Sequence, residues 1–421
     1  MSKRLFQEFD KASSKSWKQK IQVDLKGADY NDTLVWQTPE HITVKPFYHP
    51  DEFNPQEFSS PKSEGSWLVG QIIMADDELE ANSKAKDAIA RGAESILFKI
   101  KKEHTSVEVL LNDLQNVPVA IMNAYPNEDF KNLANQYYDP IGQLASTGNW
   151  FSSKKEELNT LTSTVSSTGK LILDLAFYQN AGANMVQQLA YAISHVNEYM
   201  NHLNQLKDID FNKLQLHLNL AVGGNYFFEI AKIRAMRLLW KTLSKVYGAN
   251  ENCSISAVPS RRNKSIYDYN VNMLRTTTEC MSAVLGGADT VYNYAYDALY
   301  HESNEFGERI SRNQLLILKH ESYFDQVENP SDGAYYIESL TEQLADKALD
   351  LFKSIENSGG LIQQLITGTI QRKIKESAQA EQEKFDAGEL VLLGVNTFPN
   401  KEDKMKNNLE IDPFLSISKR K

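Results

Sequence analysis

Cysteine is scarce in this chain of 421 residues: it has Cys253 and Cys280 and no others. Two thiols make no disulfide framework, and they do not stand at a metal-ligand spacing. Each lies in an apolar stretch, which predicts small buried core residues. Basic charge is also short. Forty-five Lys and Arg face 55 Asp and Glu, for a net charge of −10 and a pI near 5.4. That balance argues against a general phosphate-backbone binder, so no nucleic acid is expected as a partner. No apolar run approaches the roughly 18 residues that a membrane span requires. The opening segment, Met1-Ser-Lys-Arg-Leu-Phe-Gln-Glu-Phe-Asp10, lacks the apolar core of a signal peptide. The expected compartment is the cytoplasm, away from any membrane. There is neither a Gly-x-x-x-x-Gly-Lys-Ser/Thr phosphate loop nor a Gly-x-Ser-x-Gly nucleophile elbow. The histidines, at 41, 49, 104, 195, 202, 217, 301 and 320, share no helical metal spacing with a carboxylate.

What is present is rhythm. The first sixty residues are polar and aromatic, punctuated by Pro39, Pro46, Pro50, Pro55 and Pro61. Such a stretch cannot form a core, yet Trp36, Phe47 and Tyr48 favour burial. An arm laid over another surface, its own or a partner's, reconciles the two. From Trp67 onward, short apolar runs alternate with helical segments. The strands expected are Leu68–Met74, Ser95–Ile100, Val117–Met122, a weak one near Ile141–Leu144, Leu171–Ala176, Leu214–Val222, Ser254–Val258 and Thr290–Tyr294. One helix carries Met185, Leu189, Ile193, Val196, Met200 and Leu203 at three- and four-residue spacing. Another carries Ile230, Ile233, Trp240 and Leu243, with Arg237 at the edge of the apolar face. Eight strand–helix units predict an α/β fold, a (β/α)8 TIM barrel, with a doubly wound sheet as the alternative. Beyond the last strand the chain reads as helical from Glu305 to about Glu381, followed by a short apolar segment, Leu390–Phe398, and a charged tail.

Individual residues say less. Gly-Gly pairs at 223–224, 286–287 and 359–360 read more readily as turns than as ligand cradles. His195 and His202 lie seven apart on one helix and are expected at its polar edge. His217, alternating with apolar neighbours in a strand, is expected to be a hydrogen-bonded structural histidine. Asp174, inside Leu-Ile-Leu-Asp-Leu, needs a charged or hydrogen-bonded partner to be tolerated there. Functional and structural readings of it stand level. Arg275-Thr-Thr-Thr-Glu279 places an arginine and hydroxyls at the start of a helical run. This is either an anion site or an N-cap cluster with an exposed arginine.

Several segments together resemble the methylmalonyl-CoA mutase family. Leu34-Val-Trp-Gln-Thr-Pro-Glu-His-Ile-Thr-Val-Lys-Pro-Phe-Tyr48 is similar to the family's N-terminal arm, and the block from Leu220 to Trp240 is similar to a strand-to-helix segment. Arg275-Thr-Thr-Thr-Glu-Cys-Met-Ser-Ala-Val-Leu-Gly-Gly287 resembles the family's R-T-T-x-E-A-M-A-A-V-x-G-G. Ile310–Gln314, His320–Ser322, Asn329–Glu338 and Gly394-Val-Asn396 follow in family order. The resemblance implies the barrel independently of the strand count.

The departures suggest the role. Catalytic members carry a second domain in which Asp-x-His-x-x-Gly ligates cobalt. Here no histidine has an aspartate two residues before it, and the chain ends too soon for such a domain. No cobalamin-binding Rossmann-like domain is therefore expected. Catalytic members also have a Tyr-His pair before Glu-Ala-Gly-Ala, whose histidine hydrogen-bonds the substrate carbonyl. Aligned on Ala181-Gly-Ala183, Phe177 falls at that histidine and Asn180 at the glutamate. The tyrosine- and arginine-bearing stretch before the first strand is here Ser63-Glu-Gly-Ser-Trp-Leu-Val-Gly70, and H-x-Q-T-S is Ser256-Ala-Val-Pro-Ser260.

The resemblance thus implies a small, non-catalytic subunit with a degenerate site, in which Tyr178, Gln179, Asn180 and Arg275 remain as residual pocket candidates. No metal or cofactor is expected on this chain, with adenosylcobalamin held by a large catalytic partner in a heterodimer. Self-pairing is possible when the chain is alone. Alternatives are the substrate half of a split acyl-CoA mutase, or a CoA-binding regulatory module. The expected layout is an arm for subunit contacts (1–62), the barrel with closing helices (63–400) and a charged tail (401–421).

Overall fold

A computed structural model describes residues 9–53, 66–100, 102, 105–123, 135–206, 209–402 and 409–411. Eight strands form one parallel sheet: β1 (Leu68–Met74), β2 (Ser95–Ile100), β3 (Val119–Asn123), β4 (Gln136–Tyr137), β5 (Lys170–Asp174), β6 (Gln215–Val222), β7 (Cys253–Pro259) and β8 (Thr290–Tyr292). Their order, β4-β3-β2-β1-β8-β7-β6-β5, brings the first strand beside the last, as in a (β/α)8 barrel. The sheet is closed except between β4 and β5, which pack together without a ladder. A side-chain bond bridges that seam, Lys170 Nζ donating to Asn135 Oδ1 at 2.7 Å.

The expected strands match closely at β1, β2, β6 and β7, and the fourth is a correction. Residues 141–144 lie in the helix Pro140–Thr147, and the strand is the two-residue Gln136–Tyr137 just before it. The local chemistry explains the error. Asp139 caps this helix by accepting from Gly142 N, Pro140 opens it, and Gly148 closes it in the left-handed region, so the apolar Ile141 and Leu144 serve a helix face. A strand of two residues is too short to show a period of two.

The barrel is filled rather than open. Leu97, Tyr137, Ile172, Ala176, Ala221, Val258 and Tyr292 pack inside it. The polar groups among them satisfy one another. His217 Nε2 lies 3.0 Å from Ser256 Oγ and 3.1 Å from Tyr137 Oη, its Nδ1 lies 3.0 Å from Ser254 Oγ, and Ser256 donates to Asn219. Burial pushes His217 down to about 4, so the imidazole is neutral and structural. Gly70 has a specific reason to be glycine, because a Cβ there would strike the ring of Tyr292 on the neighbouring strand.

Outside the sheet, the helix Met185–Asn204 buries the stripe expected of it, and Tyr226–Tyr247 buries an even wider face. Arg237 is not at an edge: its guanidinium points inward to Asp289 (2.6 Å), Gly287 O (2.7 Å) and the Cys253 carbonyl. Fixed partners made a buried arginine tolerable here, and a helical wheel does not reveal them. The closing helices run Glu305–Leu316, Tyr335–Asn357, Gly360–Ile366 and Thr369–Asp386, with a π turn at Ile317–Glu321 after the first.

The arm is less extended than expected. It carries the helices Ser14–Asp24 and Tyr30–Leu34 and a two-stranded ribbon, Trp36–Gln37 with Thr43–Val44. It lies partly on the chain's own surface: Tyr48 packs on Tyr336, Phe53 stacks on Tyr335, and Trp36 meets Phe228 edge-on while remaining half exposed. Both cysteines are free and buried, as expected. Among the described residues, no helix is long and apolar enough to cross a membrane.

Candidate functional site

In a parallel barrel the chemistry collects where the strands end at their carboxyl side. A cleft of about 180 Å³ opens there beside the β4/β5 seam, lined by Met122, Gln136, Tyr137, Tyr138, Asp139, Phe151, Asp174 and Phe177 together with the first turns of the Pro140–Thr147 helix. Phe177 sits in the short helix Ala176–Ala181 directly after β5 and presents its ring to this cleft. An aromatic hydrocarbon there offers no hydrogen-bond donor to a carbonyl oxygen.

Asp174, the last residue of β5, also lines the cleft. Its Oδ1 accepts from Asn219 Nδ2 at 2.8 Å and from Ala176 N at 3.2 Å, the partners that a carboxylate at a strand end requires.

None of the four residual pocket candidates is among the residues lining the cleft, although the Tyr178 ring packs 4.2 Å from that of Phe177. Tyr178 turns away into the core, its hydroxyl 3.3 Å from His195 Nδ1, and burial drives its pKa well above that of an ordinary phenol. Gln179 is tied to a buried ion pair: its Nε2 donates to Glu229 and its Oε1 accepts from Lys232 Nζ at 2.8 Å. Asn180 Oδ1 accepts from Arg261 N at 2.8 Å and so fixes the loop after β7. Arg275 lies elsewhere, in the second turn of the helix Val271–Leu285. This helix begins four residues earlier than the sequence suggested. Its guanidinium donates to Asn272 Oδ1 and to Leu393 O, clamping the C-terminal segment. Arg275 therefore stands one turn inside the helix rather than at its N-terminus.

The histidines follow the same pattern. His195 is fully buried, not at a polar edge, and both ring nitrogens are engaged: Nε2 with Asp139 Oδ1 at 2.8 Å, Nδ1 with Tyr178. Asp139 Oδ1 also accepts from Tyr199 Oη at 2.6 Å and from Gly142 N, so one carboxylate oxygen joins two helices, Pro140–Thr147 and Met185–Asn204. Helical spacing alone could not reveal that hub, since Asp139 is fifty-odd residues away in sequence. His202 is half-buried at its helix's flank, 3.1 Å from Thr162 Oγ1. His217 is bonded at both nitrogens inside the barrel, as described above.

The two histidines nearest the cleft are already doubly bonded, and among the described residues no cluster of His, Cys, Asp and Glu is placed to hold a metal ion. His104 and Ser63–Gly65 lie outside the described residues.

The segments that carried the family resemblance prove to be one another's neighbours. Arg234, in the strand-to-helix block, pairs with Asp332 and with Glu338 Oε1 (2.6 Å), both in Asn329–Glu338. Arg275, in the next block, holds the strand of chain that contains Gly394-Val-Asn396. Residues 138–420 match the family model described as methylmalonyl-CoA mutase. The chain belongs to the methylmalonyl-CoA mutase family.

Among its relatives, the methylmalonyl-CoA mutase small subunit of Porphyromonas gingivalis is 33% identical over 447 residues, covering 94% of this chain and 71% of that one. The methylmalonyl-CoA mutase of Cereibacter sphaeroides is 36% identical over 243 residues, covering 56% of this chain and 34% of that one. The large subunit from Porphyromonas gingivalis is 32% identical over 239 residues, covering 56% and 33% respectively. The family match thus spans most of the small subunit but only about a third of the other two.

Proposed function

We propose that this chain is the small, non-catalytic subunit of a methylmalonyl-CoA mutase, a cytoplasmic protein that pairs with a large catalytic subunit and stabilises it. In this reading the pair interconverts methylmalonyl-CoA and succinyl-CoA, and adenosylcobalamin is held by the large subunit. The observation that carries the proposal is Phe177, which lines the cleft at the position where the family resemblance calls for a hydrogen-bonding histidine. Gln179, Asn180 and Arg275 support the same reading, because each is committed to holding the chain's own elements together. A small subunit and a large subunit from one organism both stand among the relatives, which supports a two-chain assembly.

Co-expression with a family large subunit tests the proposal. The expected result is a stable one-to-one complex that elutes together in gel filtration, with the large chain more soluble than when expressed alone. A large chain that is equally soluble and active without this chain, and that never co-elutes with it, would overturn the stabilising role.

A further inference from the structure

Many buried and half-buried cations in this chain meet a carboxylate, and others, such as Arg312, Arg275 and Lys170, bond neutral oxygens of the chain. Lys232 pairs with Glu229, Arg234 with Asp332 and Glu338, Arg237 with Asp289, Lys264 with Glu279, and Lys319 with Glu94. Two cations at the carboxyl end of the barrel do not. Lys99, the penultimate residue of β2, and Arg261, two residues past β7, converge on one phenol, Tyr294, two residues past β8. Lys99 Nζ donates to Tyr294 Oη at 3.3 Å, and the Arg261 guanidinium carbon sits 4.9 Å from the ring centroid. All three side chains are half-buried. Among the described residues neither cation makes an ion pair, and the Tyr294 hydroxyl proton has no acceptor.

Asp174 is the carboxylate whose field reaches Tyr294, but among the described residues it makes no ion pair with Lys99 or Arg261 and instead accepts from Asn219 and Ala176. Bringing two like charges onto one ring with no anion paired to either is electrostatically unfavourable, and the ring's π face offsets only part of the cost. Burial alone would raise the phenol's pKa. Lys99 and Arg261 more than reverse that and leave it below the ordinary value, which reflects the net positive field at this point.

We propose that Lys99, Arg261 and Tyr294 form a binding site for a small anion bearing carboxylate or phosphate oxygens at the carboxyl-end mouth of the barrel. The lysine ammonium retains protons not used on Tyr294, the guanidinium offers a planar fork, and the phenol adds a neutral donor. Together they complement an oxyanion approaching from the mouth. The site borders the Phe177 cleft, whose Asp174 reaches Tyr294, and it does not depend on the subunit reading. Arg261 is held in place by its backbone bond to Asn180 Oδ1, which gives that asparagine a positioning role.

Isothermal titration of the purified chain at low ionic strength, with inorganic phosphate in one arm and succinate in the other, tests the proposal. At least one anion is expected to bind, and the arm that gives heat identifies the oxyanion preferred. Arg261→Gln is expected to weaken binding about tenfold or more, and Lys99→Gln/Arg261→Gln to abolish it. Tyr294→Phe, which keeps both cations, is expected to weaken it several-fold. Arg372→Gln, which removes an exposed cation paired with Glu376, is expected to leave it unchanged. Far-UV circular dichroism of each variant establishes that the barrel is folded. No heat from either anion up to ~20 mM, or undiminished binding by the folded Arg261→Gln protein, would overturn the proposal.

Discussion

Lys232 is the sharpest test of how this barrel is held together. Its side chain is almost wholly buried between the Tyr226–Tyr247 helix and β6, where Nζ meets Glu229 Oε2 at 2.5 Å and donates to Gln179 Oε1 (2.8 Å), Gln188 Oε1 (2.9 Å) and Ala221 O (2.7 Å). Glu229 in turn accepts from Gly223 N at 2.8 Å and from Gln179 Nε2. Lys232→Met fills the space but strands a buried carboxylate and three acceptors. Breaking a buried pair from one side costs about 3–5 kcal/mol. At about 2 °C per kcal/mol for a domain of this size, the melting temperature should fall by roughly 6–10 °C. Adding Glu229→Gln removes the stranded charge while keeping an acceptor for Gly223 N and Gln179, so the double variant should recover about half of the loss. Differential scanning calorimetry at pH 7 reads both values. A single-variant shift below ~2 °C, or a double variant no better than the single, would refute the claim that this intrahelical pair, through its bonds to Ala221 O and Gly223 N, anchors the helix to the sheet.

Three further outcomes are expected. Glu356 is raised from its ordinary 4.5 to about 6 by partial burial and by Glu198, against a bond from Asn197. A carboxyl raised on folding stabilises most when protonated, below pH 4.5, and that contribution is lost as the pH rises through about 6. Glu356→Gln should therefore stabilise at pH 7 by no more than about 1 kcal/mol, given the half-exposed site, and do nothing at pH 4; equal melting shifts at both pH values would contradict this. Gly182 sits at φ +105°, and a Cβ there would lie 2.5 Å from that of Ala378. Gly182→Ala should cost about 2 kcal/mol in urea unfolding, and a change under ~0.5 would show that the Thr369–Asp386 helix gives way easily. Phe177→His in the isolated chain should produce no methylmalonyl-CoA turnover, because the neighbouring Tyr178 hydroxyl is buried on His195 and Gln179 is tied to Lys232; measurable turnover would show that one side chain alone separates this barrel from activity.

The barrel was readable from the chain because its strands are short, apolar and buried on both faces, and most runs of Ile, Leu and Val coincide with them. The fourth strand was not, since two residues carry no period and the stronger apolar signal belonged to the helix that Asp139 caps. The resemblance reads Phe177 at the position of a family histidine, and the structure adds that this residue lines a cleft. Long-range polar partners lay beyond reach. His195 finds Asp139, Arg237 finds Asp289, and Arg275 finds Leu393 O, pairs that neither helical nor strand periodicity encodes. The same limit hid Lys99, Arg261 and Tyr294, which belong to three separate strand ends and meet only when the barrel closes. At Arg275 the local cluster of arginine and hydroxyls left an anion site and a structural cluster both open, and the structure shows the guanidinium bonded to Asn272 and Leu393 O.

The most direct test of the non-catalytic role is turnover of methylmalonyl-CoA to succinyl-CoA by the purified chain in the presence of adenosylcobalamin, measured beside the same chain assembled with a family large subunit. The account predicts activity in the assembly and none above background for this chain alone. Sustained turnover by the isolated chain would contradict it.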